Sequence, residues 1–290
     1  MKKFISFILA VVMLTSMCCA LAVGPEDARA VIGANLSDEQ IAEVYKAFGV
    51  ERGSVKELTV TNAEEREYLE GLVDESLIGT RSISCVYIET LEAGSGISVS
   101  CQNITWCTQE IYTNALVTAG VTDAKVIVAA PIAVSGTAAL TGIYKAYEDA
   151  TGEELDVTAK EVGTQELVLT TELADEIGSY DATAIVNELK LILDETKNMT
   201  DDEIRAEIKT IAEEYDVSLT DAQIDKLIEL CRALEKLDDN ALIEKVKQVQ
   251  DTVKKIAEAK EKADGFVGKV KNVIGSISDF FANLFSFFKK

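Results

Sequence analysis

The sequence contains no histidine. That absence removes Ser-His-Asp and Cys-His triads, His-ligated metals and histidine general bases, because each needs an imidazole that titrates near neutral pH. Basic residues are also few, with 28 Lys and Arg against 50 Asp and Glu. An acidic surface repels a phosphate backbone, so nucleic acid is excluded as a partner. No cysteine spacing fits a zinc site, and neither a metal nor a cofactor is expected. Tryptophan occurs once, as Trp106.

What is present begins with the amino terminus. Lys2 and Lys3 precede an apolar run from Phe4 to about Leu14, and Ala20-Leu21-Ala22 supplies a small-x-small pattern. This is the layout of a secretory leader, with cleavage expected after Ala22. A lipid anchor at Cys18 or Cys19 is the competing reading, weakened by Met17 or Cys18 where a small residue is needed. Loss of residues 1–22 removes two lysines, leaving 26 basic residues against 50 acidic ones, a net charge of −24. The charge is uneven: Lys254–Lys290 carries eight lysines against four acids, and residues 23–253 carry −28.

Four cysteines remain, Cys85, Cys101, Cys107 and Cys231. Export permits disulfides without requiring them. "RSISCVYIET" and "GISVSCQNIT" read as two strands of a hairpin, which would bring Cys85 opposite Cys101 and within reach of a bridge. Cys101 with Cys107 is the other pairing. Cys231 lies on a helical apolar stripe with Leu227 and Leu234 and reads as a small buried hydrophobe.

The stretch "VIVAAPIAVSGTAALTGIYKAYE", 126–148, has a strand, a turn of small residues and a helix. Folds use that layout to expose a serine or to cradle a phosphate. Ser135 has no histidine partner, and the turn lacks a P-loop lysine. The reading from residue chemistry is therefore a helix cap at Ser135 with a glycine-eased turn. The alternative is a weak ligand site formed by Ser135, Gly136, Thr137 and Thr141, whose hydroxyls could hydrogen-bond a glycan or small polar molecule.

Along the chain, residues 23–152 alternate strands and helices, predicting an α+β or α/β domain with a small mixed sheet. Capping boxes open helices at Ser37-Asp38-Glu39-Gln40 and Thr61-Asn62-Ala63-Glu64. Strands are expected at "VKELTV" and 124–130, and helices at 106–119 and 136–150. Residues 153–237 read as a helical bundle, with further boxes at Thr200 and Thr220. Their apolar stripes are Ile204, Ile208, Ile211 and Ile224, Leu227, Cys231, Leu234.

Residues 238–290 carry a 4-3-4-3 apolar spacing from Leu242 through Val246 and Val249 to Phe288, interrupted by Lys260. That predicts one long helix packing as a coiled coil or bundle element, or in a homo-oligomer, weakened by Gly265, Gly268 and Gly275. The end, "ISDFFANLFSFFKK", falls short of the about 20 apolar residues needed to span a bilayer. Its Phe266, Phe280, Phe281, Phe285 and Phe288, with Lys289 and Lys290, suit either an anionic membrane interface or packing on the protein.

"IGTRSISCVYIETL", "NALVTAGVTDAKVIVAAPIAVSGTAALTGIYKAYE" and "TQELVLTTELADEIG" resemble the YpuA-like family of exported bacterial proteins, over roughly residues 24–200. The resemblance implies export to a Gram-positive envelope and brings no catalytic residues. Cys101 and Cys107 depart from the family's usual pattern. Two classes of function stay open: a non-catalytic binding or regulatory protein at the outer face of the membrane or wall, acting on an envelope protein or wall component, and a ligand-binding module or carboxylate hydrolase using residues 134–141.

Overall fold

A computed structural model describes residues 27–238 and 240–249. Five strands form one sheet in the order β2-β1-β3-β5-β4. β1 (Ala28–Gly33) runs parallel to β2 (Lys56–Val60) and antiparallel to β3 (Cys85–Thr90). β5 (Ala124–Val134) runs antiparallel to β3 and parallel to β4 (Ile97–Ile104). Four strands therefore share one direction, and the central β3 alone opposes them. All six residues of β1 and the first four of β3 are buried, as apolar runs covered on both faces require.

Each parallel pair is bridged by a helix. α1 (Asp38–Phe48) joins β1 to β2, and α4 (Gln109–Thr118) joins β4 to β5. α1 opens with a complete Ser37/Gln40 capping box and closes on Gly49 in the left-handed region, φ +73°. Its Ile41, Val44, Tyr45 and Phe48 pack on Ala28, Ala30, Ile32, Cys85 and Ala129, where small side chains admit the helix. The opposite face, including Val31, Val86, Val126 and Val128, is covered by α4 and α5 (Thr137–Thr151). Burying each Ile or Val contributes roughly 1.5–3 kcal/mol.

The hairpin expected at 81–104 does not form. β5 lies between β3 and β4, so Cys85 pairs in register with Ala129 and Cys101 with Val128. Adjacent residues of one strand point to opposite faces, which puts Cys85 and Cys101 on opposite sides of the sheet. The possible Cys85–Cys101 bridge is thereby corrected: among the described residues both thiols are free, as are Cys107 and Cys231.

Helices α2 (Asn62–Leu69) and α3 (Glu75–Ile78) follow β2. Beyond α5 come α6 (Val157–Ile177), α7 (Ser179–Leu191), α8 (Leu193–Thr196), α9 (Asp201–Glu214) and α10 (Asp221–Leu234). The boxes at Thr61, Thr200 and Thr220 all close as expected. The stripes of α9 and α10 are buried, Cys231 among them. One continuous core runs from Val31 to Val249, and position 152 is the left-handed glycine ending α5 within it. Residues 240–249 are helical, with Leu242, Val246 and Val249 buried. The remainder of the heptad pattern and the Phe- and Lys-rich end, Phe266 to Lys290, lie outside the described residues, as do residues 1–22, read from the sequence as a leader. No helix among the described residues is long and apolar enough to cross a membrane.

Candidate functional site

The carboxyl ends of β1, β2, β4 and β5 all face one edge of the sheet, the edge where open α/β sheets place their ligand sites. A cleft of ≈ 580 Å³ opens there, walled by Leu77 to Arg81 at the end of α3 and just beyond it, Trp106 after β4, the turn Val134–Ala138 at the end of β5, and Glu65 of α2. Three of the four candidate ligand residues, Ser135, Gly136 and Thr137, line it. Thr141 does not: it is buried one turn further along α5, its hydroxyl unpartnered among the described residues.

A bulge shapes the wall formed by β4 and β5. The ladder shifts register between Gln102 and Ile104, and the residue between, Asn103, sits at φ +60°. Its amide donates to the Ala130 carbonyl at 2.8 Å. β5 thus continues through Pro131 to Val134, four residues past the strand end expected from the sequence. Thr105 N–H donates to the Val134 carbonyl at 2.9 Å, and Cys107 N–H to that of Ser135 at 3.3 Å.

Ser135 is not the helix cap. The cap residue of α5 is Gly136, at φ +102°, and no side chain among the described residues caps the helix. Ser135 Oγ instead donates to the Leu77 carbonyl at 2.9 Å, and Thr137 Oγ1 reaches the same oxygen at 3.2 Å. The two hydroxyls lie 3.2 Å apart. Leu77 is held in turn by α2, because Arg66 donates to the nearby Gly79 carbonyl at 2.9 Å. The turn after β5 and the end of α3 are therefore stitched together at the cleft.

Glu65 was not singled out by sequence patterns. It is 1% exposed; Asn62 donates to its Oε2 at 3.2 Å, while Oε1 has no partner among the described residues. Burial raises its carboxyl above the usual range, opposed by hydrogen bonding from Asn62 and by the charge of Arg66. The available signal was its spacing of four from buried Leu69, which puts an acid on the inward face of α2. At the rim, Arg81 donates to the Asn35 carbonyl at 2.9 Å and forms no ion pair among the described residues. The half-buried Trp106 offers an aromatic surface.

The cleft thus combines two hydroxyls, a buried carboxyl, a guanidinium and an indole. Ser135 gives its proton to a backbone carbonyl, which cannot accept it as a base would. Among the described residues, no group of His, Cys, Asp and Glu is arranged to hold a metal ion.

Residues 32–256 match the family model described as "Protein of unknown function (DUF1002)". The chain is also 38% identical over 265 residues to "Uncharacterized protein YpuA" of Bacillus subtilis (strain 168), covering 90% of this chain and 88% of that protein. No solved structure matches. With both matches spanning most of its length, the chain belongs to the DUF1002 family of proteins of unknown function.

Proposed function

We propose that this chain is an exported cell-envelope protein that binds a glycan or another small polar ligand of the wall in the cleft at residues 134–138, without transforming it. The observation that carries the reading is the convergence of Ser135, Thr137, Glu65, Arg81 and Trp106 at the carboxyl ends of parallel strands. Sugars present hydroxyls and an apolar ring face, and such sites pair a few placed polar groups with aromatic surface. Binding is favoured over hydrolysis because the Ser135 proton is committed to a main-chain oxygen. The leader-like residues 1–22 support export, and the basic, Phe-rich end supports retention at an anionic membrane.

Trp106 is the sole tryptophan, so intrinsic fluorescence reports directly on this cleft. Titration with a soluble N-acetylhexosamine oligosaccharide is expected to change that emission saturably in the parent chain, and not in a Ser135→Ala, Thr137→Ala variant. Unchanged emission in the parent, with wall fragments as well, would contradict the reading.

A further inference from the structure

Three helices enclose a polar cluster that shares no residue with the lining of the cleft. α7 places Lys190, 0% exposed, beside Glu166 of α6, 1% exposed, and their side chains form an ion pair. Thr118 of α4 donates to Glu166 Oε2 at 2.6 Å. Lys190 Nζ also donates to the main-chain carbonyl of Asn114, on α4, at 3.3 Å. Asn114 is 1% exposed, and neither atom of its side-chain amide has a partner among the described residues. Burying an amide without partners forfeits its hydrogen bonds to water and replaces none of them, so its presence on the residue whose main chain the Lys190 amine contacts calls for an explanation.

We propose that Lys190 and Asn114 become joined by an intramolecular isopeptide bond, formed without cofactor and with Glu166 as the catalytic acid and base. Lys190 first passes a proton to Glu166, giving an uncharged amine beside an uncharged acid. Burial favours that exchange, since it pushes the Glu166 carboxyl up and the Lys190 amine down. The amine attacks Asn114 Cγ, forming the Nζ–Cγ bond; Glu166 gives its acid proton to Nδ2 and, as the carboxylate so formed, takes one of the two protons left on Nζ. The Cγ–Nδ2 bond then breaks and ammonia leaves. No oxidant, reductant or other reactant is consumed.

Several features support the step. The amine already touches the residue that carries the electrophile, and holding reactants in one site can raise effective concentration to about 10⁵–10⁸ M. Thr118 fixes the carboxyl from its other oxygen. Asn114's amide has no hydrogen bond among the described residues to break before it turns toward Nζ. The product would tie α4 to α7 across 76 positions and remove a charged pair from the core.

Intact-mass measurement of the purified full chain, denatured and reduced after incubation at neutral pH, tests this. The expected mass is lower than the sequence requires by one ammonia, and digestion yields a branched peptide joining the segments that contain Asn114 and Lys190. Lys190→Met and Glu166→Gln are expected to restore the full mass, a result readable whether or not those variants fold. A parent chain at its full mass would overturn the proposal. So would an ammonia loss that persists in Lys190→Met, or a branch from Lys190 to any residue other than Asn114.

Discussion

Tyr112 donates its hydroxyl to the Gly136 carbonyl at 2.5 Å, and the same hydroxyl would stand 2.6 Å from a Cβ built on Gly136. Ile104 Cγ2 lies 2.6 Å from that position on another side. The residue capping α5 must therefore be glycine both for its φ of +102° and for its space. Gly136→Ala is expected to destabilise by roughly 2–4 kcal/mol, combining backbone strain with overpacking. Urea denaturation measures it, and a loss below about 0.5 kcal/mol, typical of an exposed site, would contradict the turn geometry.

Glu65 gives a prediction with a defined sign. Its carboxyl is raised in the folded chain by burial, so the folded state holds the proton more tightly than the unfolded state does. Its contribution is most favourable below the unfolded value of about 4.3 and is lost as pH rises through the folded value. Glu65→Gln, which keeps the shape and carries no charge, should raise Tm at pH 7–8 and leave it nearly unchanged at pH 4. An equal effect at both pH values would show that the carboxyl is not held above its usual range.

Thiol chemistry tests the sheet order. Burial pushes the thiols of Cys85, Cys101 and Cys107 up to about 12, so little thiolate exists near neutral pH. Alkylation at pH 8 should be slow in the native chain for all three, and in urea these and Cys231 should react without prior reduction. A disulfide between Cys85 and Cys101 would contradict the placement of β5 between their strands.

Membrane retention is tested by removal of the basic, Phe-rich end. Full-length protein should co-sediment with anionic phosphatidylglycerol vesicles, and a chain ending before Gly265 should lose that binding. Screening by salt should weaken the interaction. Equal sedimentation of both forms would exclude this segment as the anchor.

Local rules were readable from the residues. The four capping boxes and the stripes Ile204/Ile208/Ile211 and Ile224/Leu227/Cys231/Leu234 depend on neighbours within one helix, and all are found. The sheet order was not readable. "CVYIET" and "ISVSCQNI" are consecutive strands with a turn between them, and nothing local signals that β5 will insert between the two. The cleft was half readable: the small-residue turn marked Ser135 to Thr137, whereas Glu65 and Leu77 meet it only through long-range packing of α2 and α3. Ser135 looked like a cap because its partner carbonyl is 58 positions away.

The most direct test of the binding site is amide-resolved NMR of the labelled chain during titration with N-acetylhexosamine oligosaccharides and wall fragments. The account predicts saturable shifts concentrated at residues 77–81, 105–106 and 134–138, abolished together by Ser135→Ala, Thr137→Ala. Saturable shifts confined to another surface, such as the depression between α6 and α10 around Val168 and Leu230, or no shifts with any of these ligands, would contradict it.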